Sequence, residues 1–99
     1  MAKKDINWGE LGFGYVKTDY RFVANFKDGK WDEGQLITDE NVVINECAGV
    51  LQYAQTCFEG LKAYTTEDGK IVCFRPDLNA QRMADSCERL KMPVFPVDK

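Results

Sequence analysis

Between Phe58 and Arg82 the chain reads FEGLKAYTTEDGKIVCFRPDLNAQR, and the spacing of its apolar positions changes part-way along. Phe58, Gly60, Lys62 and Tyr64 alternate with Glu59, Leu61 and Ala63, the period of two that sends successive side chains to opposite faces of a sheet. Asp68-Gly69 is a turn signal, and the β-favouring run from Ile71 to Phe74 predicts the return strand of a hairpin. Arg75-Pro76 ends that strand, because proline has no N–H for the ladder yet suits the first turn of a helix. From Pro76 onward Leu78, Met83, Cys87 and Leu90 recur at roughly helical spacing. The pattern predicts a hairpin running directly into an amphipathic helix that fades near Lys91.

The upstream half repeats the theme. From Tyr20 to Lys27, Phe22, Ala24 and Phe26 alternate with Val23 and Asn25, and Asp28-Gly29 supplies a turn before Lys30-Trp31, a second hairpin signal. The stretch from Asp32 to Asn41 is polar and turn-rich. It predicts loop and edge strand, with Leu36-Ile37 as a short strand piece ahead of Val42 to Ile44. Asn45 suits a helix N-cap and Glu46 the positive end of a helix dipole. Cys47, Val50, Leu51 and Ala54 then fall at the i, i+3, i+4, i+7 spacing of an apolar face, predicting a first helix although Gly49 weakens it by about 1 kcal/mol relative to alanine. Residues 1–10 are polar and without periodicity, which predicts a flexible lead. Pro93 and Pro96 exclude further helix in the tail. The fold class read from these elements is α+β, a mostly antiparallel sheet with two helices packed on it, occupying residues 11–99.

Ninety-nine residues suffice for one small domain that buries roughly 60% of its unfolded surface. The net charge of −3 leaves no basic field to hold nucleic acid or an anionic membrane. No apolar run approaches the ~18–20 residues of a membrane span, and Met1 to Asp5 lead into polar sequence rather than a signal-peptide core, so a cytoplasmic location is expected. Cys47, Cys57, Cys73 and Cys87 lie ten or more residues apart in a chain without histidine. Neither a zinc site nor a redox C-x-x-C is present, so no metal ligands are assigned. The cysteines read as small buried hydrophobes, with a structural disulfide as the alternative.

Single residues carry the candidate chemistry. Arg82 lies four positions after Leu78 and beside Met83, on or next to the inward stripe of its helix, where it needs an acid or a bound anion. Glu59 and Asp85 are the acids in reach; an anionic ligand is the other answer. Phe13 stands between Gly12 and Gly14, either plugging the core at a tight turn or lining a site that backbone approaches closely. Tyr53 falls about 100° to one side of the first helix's apolar face, the position of a packing residue.

Three motifs, LGFGYVKTDY, YAQTCFEGLKAY and CFRPDLNAQRM, in this order and at these separations resemble the branched-chain amino acid aminotransferases. These are pyridoxal-phosphate enzymes of fold type IV, and the resemblance runs from Leu11 to Pro93. It implies that residues 11–99 are the N-terminal part of the family's small domain. The full-length protein would then be a homodimer that transfers the amino group of Leu, Ile or Val to 2-oxoglutarate. Arg82 matches the arginine that binds the cofactor phosphate. Phe13, Tyr53 and Phe58 match residues of the substrate pocket, Tyr53 reaching it in some members across the dimer interface. Lys17 and Tyr20 flank Thr18-Asp19 where the family usually has an aromatic residue and a histidine. In the family the lysine that holds the cofactor as a Schiff base comes downstream of every motif present here, and Lys62 occupies a position that carries lysine or arginine. No catalytic residue is therefore assigned, and the chain alone is expected to be catalytically incomplete. Other readings are a fold-type-IV enzyme of the D-amino-acid aminotransferase or aminodeoxychorismate lyase type, and a stand-alone α+β interaction module.

Overall fold

In a computed structural model, which describes residues 4–99, each Asp-Gly pair closes a hairpin. Strands β2 (Phe26–Lys27) and β3 (Lys30–Trp31) pair antiparallel, with Phe26 opposite Trp31. Asp28 (φ 54°) and Gly29 (φ 81°) both adopt the left-handed conformation that matches the twist of the flanking strands. Strands β5 (Ala63–Thr65) and β6 (Ile71–Cys73) form the second hairpin, with Tyr64 opposite Val72. Its turn is closed by the Thr66 N–H on the Lys70 carbonyl at 2.8 Å and by the Lys70 N–H on Thr66 Oγ1 at 3.0 Å. A third pair, β1 (Arg21–Val23) and β4 (Gln35–Ile37), brackets the first hairpin and sets Phe22 opposite Leu36. Gly34 on this return has φ +73°, and a Cβ there would come within 2.2 Å of Phe22 Cζ, so the close approach of ring and backbone requires glycine.

Helix α2 (Pro76–Arg89) opens on proline, with Asp77 in its first turn and Arg89 in its last, as the helix dipole favours. Arg75 before it is left-handed (φ 46°), and its guanidinium meets Asp77 through Nε at 3.0 Å and Nη2 at 2.9 Å. The inward stripe is Ala80, Met83, Ala84 and Cys87; Leu78 and Leu90, expected on it, are exposed. Behind the helix the tail folds back. Phe95 packs edge-on against Phe22 (6.5 Å between centroids) and Trp31 (5.1 Å), Trp31 meets Phe26 (5.3 Å), and the Trp31 indole N–H donates to the Val94 carbonyl at 2.8 Å. Such aromatic pairs contribute about 0.5–1.5 kcal/mol beyond area burial.

The result is an α+β arrangement of two helices and short antiparallel sheets. Its core is thin: among the described residues only Ala84 and Cys87 are buried apolar groups. The radius of gyration is 16.1 Å, against roughly 13 Å for a compact domain of this length.

Several sequence expectations are corrected. The first helix shrinks to one turn, α1 (Gly49–Gln52), whose N-cap is Ala48; Asn45 instead accepts the Cys47 N–H at 2.8 Å in the preceding turn. Val50 and Leu51 face solvent, so no buried apolar face offsets the cost of Gly49. The strand expected from Phe58 begins only at Ala63. Its ladder ends with Ala63 opposite Cys73, and Pro76 keeps β6 from extending to pair with residues 58–62. Residues 42–44 form no strand. Within the expected flexible lead, residues 1–3 lie outside the described residues, and Trp8–Glu10 make a 3-10 turn. Cys47 and Cys73 are exposed rather than buried, Cys57 is half-buried and Cys87 buried, and all four thiols are free.

Candidate functional site

Arg82 stands one position from Met83 and therefore about 100° off the inward stripe of α2. Its side chain is 70% exposed, at the edge of the stripe rather than on it, and of the two candidate acids it takes Glu59. Arg82 Nε donates to Glu59 Oε2 at 2.6 Å and Nη2 donates to Oε1. Asn79, three residues earlier on the same helix face, donates through Nδ2 to Glu59 Oε1 at 2.9 Å and to the Gly60 carbonyl at 2.7 Å. The Gly60 N–H adds a further bond to Oε1 at 3.2 Å. The coil of residues 58–62 is thus tied to α2 through a glutamate only 9% exposed. Hydrogen bonding from Arg82, aided by Asn79 and opposed by partial desolvation, holds the Glu59 carboxyl at about 2 instead of 4.5. Reciprocally, Glu59 raises the Arg82 guanidinium above its already high value. Gln81 reaches Asp85, the acid Arg82 leaves aside, at 3.0 Å.

Both bonds to Glu59 use the Nε–Nη2 edge of the guanidinium, so Nη1 is turned away from the carboxylate on a largely solvated side chain. An arginine fixed on one edge by a half-buried acid can offer its other donors to an anion. Beside this clasp Gly60, Leu61, Lys62, Tyr64, Phe74 and Asn79 line an open cavity of about 480 Å³.

The aromatic candidates lie elsewhere on the surface. Phe13 is fully exposed, Tyr53 follows the single turn of α1 and is exposed, and Phe58 is 89% exposed. None of the three lines the cavity beside the clasp. The Phe58 ring packs beside Gly60, its Cζ 3.7 Å from where a Gly60 Cβ would stand, an ordinary van der Waals contact. A second, more apolar cavity of about 610 Å³ is walled by Phe22, Phe26, Trp31, Met83 and Phe95 and receives the thiols of Cys57 and Cys87. Sequence reasoning named Glu59 only as a partner for Arg82 and missed Asn79. The Asn79/Arg82 spacing on one helix face was the available signal.

No family model matches the chain. It is 56% identical over 95 residues, 96% of its length, to a branched-chain-amino-acid aminotransferase of Haemophilus influenzae, of which it covers 28%. A second such aminotransferase, from Helicobacter pylori, is 49% identical over 90 residues, 91% of this chain and 26% of its own length. This chain belongs to the branched-chain aminotransferase family. A methionine aminotransferase of Arabidopsis thaliana, 46% identical over 96% of this chain and 27% of its own length, is similar as well. The chain thus spans about a quarter of the length of these aminotransferases. Among the described residues no helix is long and apolar enough to cross a membrane, and no group of three or more acidic, cysteine or histidine side chains is placed to hold a metal.

Proposed function

We propose that residues 11–99 are the N-terminal part of the small domain of a pyridoxal-phosphate-dependent branched-chain aminotransferase. The whole protein, a cytoplasmic homodimer, transfers the amino group of Leu, Ile or Val to 2-oxoglutarate. The observation that carries this reading is the 56% identity over 95 residues to an aminotransferase of that name. When bound, pyridoxal phosphate supplies the electron sink that makes the amino acid's α-proton acidic. The residues present fit its phosphate end: a guanidinium fixed by Glu59 and solvated on its other edge suits a phosphate oxyanion.

In this reading Arg82 binds and orients the phosphate, while Glu59 and Asn79 set the angle of the guanidinium. Fixing one edge in advance lowers the ordering cost of binding. Phe13, Tyr53 and Phe58 provide apolar wall for a branched side chain, whose full burial contributes about 1.5–3 kcal/mol. All three are exposed here and so have apolar surface left to give. Lys62 lines the cavity beside the clasp and in this reading takes no covalent role. The chain alone does not complete the reaction.

The test is Arg82→Ala in the full-length protein, with cofactor affinity and leucine:2-oxoglutarate turnover measured together. Loss of a charge-assisted bond weakens cofactor binding about ten- to a hundredfold, and turnover falls with it. Affinity and turnover both unchanged would reduce Arg82 to the ion-pair partner of Glu59.

A further inference from the structure

The sulfur atoms of Cys57, Met83 and Cys87 meet at the floor of the apolar cavity. Cys57 Sγ lies 3.2 Å from Met83 Sδ and 3.7 Å from Cys87 Sγ, across thirty residues of chain. We propose that Cys57 and Cys87 form an oxidative modification site, a dithiol that closes to a disulfide when a hydroperoxide reaches the cavity. Three observations carry it.

The first is distance. The two sulfurs stand at van der Waals contact, 3.7 Å apart, within a short approach of a ~2.05 Å bond. The second is asymmetry of access. Cys57 is half-buried in a coil segment that belongs to no helix or strand, whereas Cys87 is 6% exposed on α2. Burial also raises the Cys87 thiol above its usual range. The third is selectivity. Cys47 and Cys73 are exposed, and among the described residues neither is paired with another thiol.

The chemistry follows from that asymmetry. The Cys57 thiolate attacks the peroxide oxygen, the O–O bond breaks, and the alcohol ROH leaves after taking a proton, with Cys57 as the sulfenic acid. The Cys87 thiolate then attacks the Cys57 sulfur, and hydroxide departs as water with the Cys87 proton. In sum two thiols and ROOH give the disulfide, ROH and water, two electrons passing from sulfur to the O–O bond. A dithiol reductant reverses it. The link would tie the coil two residues ahead of Glu59 to the helix that carries Arg82.

The experiment uses the full-length protein, reduced and freed of reductant, and titrated with hydrogen peroxide. After quenching with iodoacetamide, the non-reduced digest is mapped by mass spectrometry. The expected result is a peptide joining Cys57 to Cys87, lighter by two hydrogens than its reduced parts, which accumulates before Cys47 or Cys73 is modified and disappears with dithiothreitol. In Cys87→Ser, Cys57 should instead proceed to the sulfinic acid. The proposal is overturned if Cys57 and Cys87 stay alkylatable while other cysteines oxidise. It is equally overturned if Cys57 of the unmodified protein over-oxidises without a cross-link. Neither outcome depends on how the cofactor is bound.

Discussion

Removing the Arg82 guanidinium should return the Glu59 carboxyl toward ordinary acidity. In the folded chain that carboxyl sits at about 2 rather than 4.5, and the largest cause is hydrogen bonding from Arg82, ahead of the contribution from Asn79. A carboxyl with a depressed folded value stabilises the fold wherever it is ionised there and in the unfolded chain alike. The contribution is fully present above pH ~4.5 and is lost as the pH falls through about 2. Arg82→Ala removes the principal donor and leaves the Asn79 amide and the Gly60 N–H, so the midpoint should climb well above 2 yet stop short of 4.5. The assay is a pH titration of the chain labelled with ¹³C at the glutamate carboxyls, with Glu59→Gln identifying the Glu59 resonance. A midpoint near 4.5 in the unmodified chain, or one that Arg82→Ala does not move, would refute the clasp as the force that orients Arg82. The functional corollary is that Glu59 stays ionised throughout the neutral range, so the angle of the guanidinium does not vary with pH there.

Three further outcomes are expected. In the full-length protein Phe58→Ala should change the ratios of kcat/KM among branched and aromatic amino acids by more than about tenfold, or ~1.4 kcal/mol; steady ratios with only a lowered Tm would assign Phe58 to packing. Borohydride reduction of this chain with pyridoxal phosphate should label no lysine stoichiometrically, and peptide mapping that found Lys62 fully modified would break that expectation. Trp31→Phe keeps the edge-on ring contacts but deletes the 2.8 Å bond to the Val94 carbonyl, a loss of about 1 kcal/mol. Limited trypsin should then cut after Lys91 roughly fivefold faster, because the docked tail opens more often.

What the sequence disclosed was local. Asp28-Gly29 and Asp68-Gly69 act through their own backbone preferences, and both turned out to join antiparallel strands. Pro76 marked the start of α2 because a missing N–H matters only in a helix's interior. The family motifs likewise sit within short windows. What stayed hidden depends on partners far along the chain. Residues 58–62 alternate like a strand but find no ladder, since β6 stops at Cys73. The spacing of Cys47, Val50, Leu51 and Ala54 is helical, yet a face with nothing to cover it yields one turn. Trp31 meets Val94 across 63 residues, and Cys57 meets Cys87 across 30, separations at which no periodicity speaks. Arg82 was legible as a residue on or beside the stripe in need of an acid, but the choice of Glu59 over Asp85 depends on a partner 23 residues away.

The thin core has a calorimetric consequence. The heat capacity of unfolding follows the apolar surface newly wetted, and the average for a chain of about 100 residues is 1.2–1.5 kcal/mol/K. Here Phe13, Tyr53, Phe58, Val43 and Phe74 are in water before unfolding begins, and among the described residues only Ala84 and Cys87 are buried apolar groups. Melting this chain by itself should therefore give a shallow, broad endotherm with a heat-capacity step well below that average. The same segment melting within the full-length protein should contribute a proportionate share, because the apolar area it keeps in solvent here is the area that neighbouring chain would dehydrate.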